Sequence, residues 1–178
     1  MSASGLTPTR MYHSSVYSSS TGVVYVIGGV DNNNDYSDVW TYDVNTLIWS
    51  SVTTNGGSFT TRDSFSAVLD TTSQIIYVFG GLRGTGSVSS SLWSFATPTG
   101  NINFLEVIIC TLLFIFHDFL AATWSQLSPS GSIPPARKGH QAEINPSASA
   151  MYMFCGDDNN NPTYYSDIWL FDTSIGIP

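Results

Sequence analysis

Tyr77 Val78 Phe79 Gly80 Gly81 is the stretch whose reading decides the fold, because it has a near-copy in Tyr25 Val26 Ile27 Gly28 Gly29 and a worn one in Tyr152 Met153 Phe154 Cys155 Gly156. Each is a short apolar run ending in glycine. Continuous apolar residues mark a strand buried on both faces, and glycine at its end permits backbone angles that a residue with a Cβ resists. A strand and its exit therefore recur along the chain.

The recurrence has a period. Arg10, Arg62 and Arg137 each open a unit; Gly29, Gly81 and Gly156 end its second strand; Trp40, Trp93 and Trp169 lie in its third. The first two units are offset by 62 − 10 = 52 and 81 − 29 = 52 residues, and periods of about 20 to 50 residues mark repeat architectures. In unit one, apolar alternation and turn residues predict strands over 13–17, 23–27, 38–43 and 48–52, the last carrying Trp49. Unit two repeats this over 65–69, 75–79 and 92–95, with Trp124 as its second tryptophan, and unit three over 140–144, 151–155 and 167–171. A four-stranded antiparallel unit of about fifty residues that cannot bury both faces alone is the sequence form of a propeller blade.

These residues resemble the kelch repeat: an opening Arg with His three residues later in units one and three, an apolar run with paired glycines, a Tyr or Phe before Asp, and a closing Trp. The resemblance covers nearly everything outside residues 100–122. It implies an all-β fold, a β-propeller segment of about three four-stranded kelch-type blades, incomplete at both ends. Residues 1–9 are then the tail end of a preceding repeat, 10–61 the first blade, 62–136 the second, and 137–178 a third lacking its outer strand. The structural repeat positions are Arg10, Gly28, Gly29, Trp40, Trp49, Arg62, Gly80, Gly81, Trp93, Trp124, Arg137, Gly156 and Trp169. Cys155 departs from the pattern by replacing a glycine, Phe65 by replacing His, and Ala96 by replacing the Asp seen at Asp43 and Asp172.

The third unit arrives late, at 137 − 62 = 75 residues, and the surplus falls between Trp93 and Trp124. An apolar insert at about 100–122 interrupts the second blade there. Residues 104–120 hold thirteen apolar side chains with no glycine or proline. A membrane segment, a helix packed on the blade edge and a translated intron compete for it. The last is preferred, because removing the block restores a normal blade, whereas a span needs roughly 20 apolar residues without interrupting acids.

Only 10% of the residues are charged, so Ser, Thr, Asn and Gly supply most of the polar surface, a mix that suits strands and turns. The net charge of -8, with five basic residues in all, argues against nucleic acid and anionic membranes as partners. Cys110 and Cys155 fit no metal-ligand or redox spacing. With no basic and apolar leader at the N-terminus, a cytoplasmic location is expected.

Candidate chemistry is sparse. The three repeated arginines either satisfy carbonyls and a carboxylate between blades or form a basic ring gripping an acidic ligand, and a role needed by every blade favours packing. His13 and His140 have no paired nucleophile in sequence, and no Gly-x-Ser-x-Gly elbow, His-Glu-x-x-His pair or phosphate loop is present. No catalytic residue is expected, and no cofactor or metal. The loops at 31–35 and 157–161 imitate the opening of a calcium loop but lack its glycine and its glutamate. The tryptophans, one set per blade, fill space between sheets better than they bind sugar.

The expected function is a protein-protein interaction module, an adaptor or scaffold, presenting the loops between second and third strands to a partner of unknown identity. The partner-binding candidates are Asp31, Asn33, Asp35, Arg83, Asp157 and Asn159, with Arg83 the first to substitute. The kelch resemblance also admits an alternative, a fragment of a kelch-type enzyme or metal-binding propeller of the oxidase or iron-dependent specifier type. Three blades are too few to close a ring, so further blades or self-association are expected to complete it.

Overall fold

A computed structural model describes residues 7–98, 122–145, 147, 149–159 and 163–174. The chain is all-β among these residues. Strands β1 (Ser14–Ser18), β2 (Val23–Val30), β3 (Asp35–Asp43) and β4 (Ile48–Val52) pair in that order as an antiparallel sheet. The chain continues through β5 (Asn55–Gly56), β6 (Arg62–Asp63), β7 (Ser66–Asp70), β8 (Ile75–Phe79), β9 (Leu82–Arg83), β10 (Leu92–Ala96) and β11 (Thr123–Leu127). Of these, β7-β8-β10-β11 form a second antiparallel sheet, and β5 joins its edge parallel to β11. The third sheet is β12 (Gln141–Asn145), β13 (Ala150–Phe154) and β14 (Ile168–Asp172). Incomplete propeller blades are what these sheets form.

The stretch that opened the sequence reading explains how the sheets stack. Along β8 the side chains alternate: Ile76 and Val78 enter a core shared with Tyr25, Ile27 and Val39 of the first sheet, while Tyr77 and Phe79 enter one shared with Met151, Met153 and Phe171 of the third. A strand with side chains of period two is buried on both faces only if a sheet lies on each side. The innermost strands β1, β7 and β12 are neighbours, as propeller geometry requires.

Strand ends differ from the sequence expectation for local reasons. Tyr12, Ser64 and Gly139 have φ of 57°, 53° and 65°, and each left-handed residue delays the innermost strand, so β1, β7 and β12 begin one residue late. Ser64 N donates to Tyr12 O at 2.9 Å and Gly139 N to Ser64 O at 2.8 Å, linking consecutive sheets. The glycines Gly28 and Gly29 do not end β2. The strand runs on through a bulge between Ile27 and Gly29, and β3 consequently begins at Asp35 opposite Val30.

The double glycine has a steric cause. A Cβ on Gly80 would stand 2.6 Å from Arg137 O of the next blade, and one on Gly81 would stand 2.7 Å from Asp63 O of its own. The first glycine admits the neighbouring sheet, the second the blade's own entering segment. Cys155 takes the first place in the third blade with a φ of 61° and is exposed.

Phe59, absent from the sequence reading, stacks on Trp124 at 3.9 Å and meets Trp93 edge-on at 5.6 Å. These two tryptophans are buried; Trp40, Trp49 and Trp169 are only partly so. Ala122, assigned to the edge of the insert, belongs to the first core instead, and Asn55 N bonds its carbonyl at 2.7 Å. The apolar block at 104–120, Cys110 and residues 160–162 lie outside the described residues.

Candidate functional site

The three repeated arginines build one centre per blade, inside the blade and not between blades. Arg10 Nη1 donates to Gly28 O at 2.8 Å, and its fork holds Asp38, with Nη2 to Oδ2 at 3.0 Å. Arg137 does the same with Cys155 O at 2.7 Å and Asp167 Oδ2 at 2.8 Å. In each case the tryptophan two residues beyond the acid donates its indole N–H back to it, Trp40 to Asp38 at 2.8 Å and Trp169 to Asp167 at 2.6 Å. A tyrosine ring, Tyr36 or Tyr165, caps the guanidinium at 4.2 Å. A bidentate, ring-stacked geometry of this kind requires arginine in place of lysine.

The carboxyls respond accordingly. Asp167 is held down to about 2, first by its bonds from Arg137 and then by Trp169. Burial pushes Asp38 up, but Arg10 and Trp40 together hold it below the usual value.

The second blade departs from this plan. Tyr36 Ser37 Asp38 Val39 Trp40 and Tyr165 Ser166 Asp167 Ile168 Trp169 face Ser89 Ser90 Ser91 Leu92 Trp93 in register. Arg62 keeps its carbonyl partners, Gly80 O at 3.2 Å and, as Arg137 does with Pro135 O, the carbonyl two residues back at Thr60; it adds Thr60 Oγ1, but where the others meet a carboxylate it meets Ser91 Oγ at 3.2 Å. Trp93 Nε1 donates to the same hydroxyl at 3.0 Å. Arg62 is 1% exposed and has no carboxylate in salt-bridge contact among the described residues. Burial, then the charge of Arg83, lowers it to about 10. The sequence reading found the arginines and tryptophans but missed their acids, although the position two residues before each tryptophan carries the signal.

The loop candidates lie at the same end. Asp31 Oδ1 accepts Asn33 N at 2.8 Å and Asn34 N at 2.7 Å while Tyr36 Oη donates to its other oxygen at 2.6 Å. Led by the tyrosine, these bonds draw Asp31 down to about 2. Asp157 Oδ1 accepts Asn159 N at 2.9 Å. Asp31 and Asp157 are thus turn formers, while Asn33, Asp35 and Asn159 are exposed. Arg83 is not on a free loop. It sits half-buried in β9, paired in register with Arg62 of β6, and its Nη2 donates to Ser89 Oγ at 3.2 Å. Asp35 approaches the second blade at Gly84, the residue after Arg83, where a Cβ would meet its Oδ2 at 2.6 Å.

Comparison with known proteins agrees with this geometry. The family model described as the KLHDC2/KLHL20/DRC7 Kelch-repeats domain matches residues 1–108. The chain belongs to the kelch-repeat family. Among curated kelch proteins, human Kelch domain-containing protein 3 is 25% identical over 153 residues, covering 84% of this chain and 35% of the relative. The mouse Rab9 effector protein with kelch motifs is 28% identical over 161 residues, covering 72% of this chain and 42% of the relative. The chain therefore spans well under half the length of these kelch relatives.

The kelch blades also enclose a groove of about 480 Å³ between the inner strands, lined by His13, Ser66, His140 and Glu143 among others. His140 is 2% exposed and shares a 2.8 Å bond between Nε2 and Ser66 Oγ, tying the third blade to the second. Burial, followed by Arg137, lowers it to about 4. His13 is exposed, because no described blade packs in front of β1. Among the described residues no three His, Cys, Asp or Glu side chains gather as a metal site.

Proposed function

We propose that the chain serves as a protein-protein interaction module, an adaptor or scaffold whose contacts come from the loops between second and third strands. The observation that carries this reading is the way rigid blades hold those loops at one end. The Asx turns at Asp31 and Asp157 fix their shape, and Gly84 lies against Asp35 across two blades. Fixed loops on a rigid scaffold recognise partners with little loss of conformational entropy. The names of the relatives, one a Rab9 effector, accord with binding in place of catalysis.

The test is capture with the full-length chain. Replacing Asn33 and Asp35 by alanine and Asn159, whose φ is 63°, by glycine removes exposed side chains and leaves the turns at Asp31 and Asp157 intact. Binding proteins lost with this variant, but retained by one altered at Thr71 and Ser73 in the turn at the opposite end, support the reading. Equal loss or equal retention by both overturns it.

A further inference from the structure

We propose that the arginine centre of the second blade is a binding site for a phosphate-sized oxyanion, with Arg83 and Ser91 at its rim and Arg62 and Ser89 beneath. The starting point is the pair of replacements relative to the sister blades: serine for the capping tyrosine and serine for the aspartate. Phe59 takes over as the ring against the guanidinium, at 4.4 Å, but nothing among the described residues replaces the counter-charge that the second change removes. A buried ion bonded to neutral groups alone, without a counter-charge, is a costly arrangement that an anion would relieve.

The hydrogen bonds point the same way. Ser91 Oγ accepts from Arg62 Nη1 and from Trp93 Nε1, so its own proton goes to Ser89 Oγ, 2.8 Å away. Ser89 Oγ also meets Ser91 N at 3.1 Å and Arg83 Nη2 at 3.2 Å, so four N–H donors already match the four lone pairs of the two hydroxyls. At least one hydroxyl proton is therefore left over. Arg83 Nε is buried and has no hydrogen-bond partner among the described residues. An unbroken run of donors thus joins two guanidiniums, with hydrogens to spare and no carboxylate in contact among the described residues. Such a set needs acceptors and negative charge together. Three or more donors from an arginine fork and a hydroxyl suit an anion with three free oxygens better than a two-oxygen carboxylate. Two acids lie nearby: Asp63, next to Arg62 in β6, accepts from Ser64 Oγ, and Asp35, beside Gly84, approaches from the first blade's loop and opposes the anion.

The probe is inorganic phosphate added to the full-length chain, followed by phosphorus NMR and calorimetry at fixed ionic strength. Wild type should bind saturably. Ser91→Asp builds the sister-blade ion pair into the site, and Arg83→Met removes the rim fork; each should weaken phosphate by at least about tenfold. Asp35→Asn should tighten it. Circular dichroism verifies folding, and if Ser91→Asp fails to fold, Arg83→Met decides. A phosphoserine peptide that binds more tightly than free phosphate assigns the anion to a partner's side chain, and equal binding assigns it to the free ion. No saturable binding by wild type, or unchanged binding by Arg83→Met, overturns the proposal.

Discussion

Arg137 donates through both terminal nitrogens to the two oxygens of Asp167, at 2.5 and 2.8 Å, from a position with no solvent exposure of its own. The pair is the third blade's internal brace, since the same guanidinium holds Cys155 O and the same carboxylate holds Trp169. The guanidinium is buried and the carboxylate 35% exposed, so removing the acid leaves a buried charge uncompensated at a cost, eased by solvent at the rim, of about 2 kcal/mol. Asp167→Ala should lower stability to urea by that order. Asp167→Ser should lose only about half as much, because a hydroxyl can accept from both arginine and indole, as Ser91 does. Equal losses would mean that acceptor geometry is irrelevant.

The reverse substitution follows from the same comparison. Ser91→Asp gives Arg62 the carboxylate that Arg10 and Arg137 have, and should raise stability by roughly 1 to 2 kcal/mol without added anions. Thermal melting in a buffer free of phosphate and sulfate measures it.

Much of this was legible in the sequence, and the reasons are physical. A strand buried on both faces must be apolar throughout, so the run ending at Gly81 announced a sheet on each side, and its period counted the blades. The tryptophans and arginines were visible because large, repeated side chains stand out against a serine-rich background. What was hidden involved short polar residues. Asp38 and Asp167 matter through arginines about thirty positions away as well as through the nearby tryptophans, and Ser91 is informative because of what it is not. Arg83 looked like a loop residue because a two-residue strand has no periodicity to detect.

The glycine pair yields a contrast between two sites. Gly80→Ala drives a Cβ into Arg137 O and His140 and imposes left-handed strain, so it should cost more than about 3 kcal/mol. Gly86, with a similar φ of 83° and nothing within 4 Å, should cost only about 1 kcal/mol when changed to alanine. Cys155→Gly, at the equivalent place in the third blade, should instead stabilise by about 1 kcal/mol by relieving a φ of 61°. Chemical denaturation of the three variants separates the steric effect from the conformational one.

Strand β14 carries Ile168 and Leu170, 68% and 57% exposed, along an edge unpaired among the described residues. Apolar, unpaired edges recruit other strands. The chain by itself is expected to associate through this edge, and replacing both residues by lysine should shift it toward monomer in sedimentation velocity. An unchanged distribution would place the association elsewhere.

The acid limb of the stability curve should belong to His140. Its imidazole sits near Arg137 in an almost solvent-free site, and burial first, then that charge, depresses it from 6.5 to about 4. Folding therefore holds it neutral where the unfolded chain would protonate it. With the folded value below the unfolded one, its contribution is complete above pH 6.5 and is lost as the pH falls through about 4. The unfolded state binds the extra proton across that window, so stability should drop by on the order of 2 kcal/mol between pH 7 and pH 5. Asp167, drawn down to about 2, is lost only below 3.8, which separates the two groups. His140→Gln keeps a partner for Ser66 and removes the titration. Urea midpoints that still fall between pH 7 and pH 5 in this variant would assign the acid limb to another group.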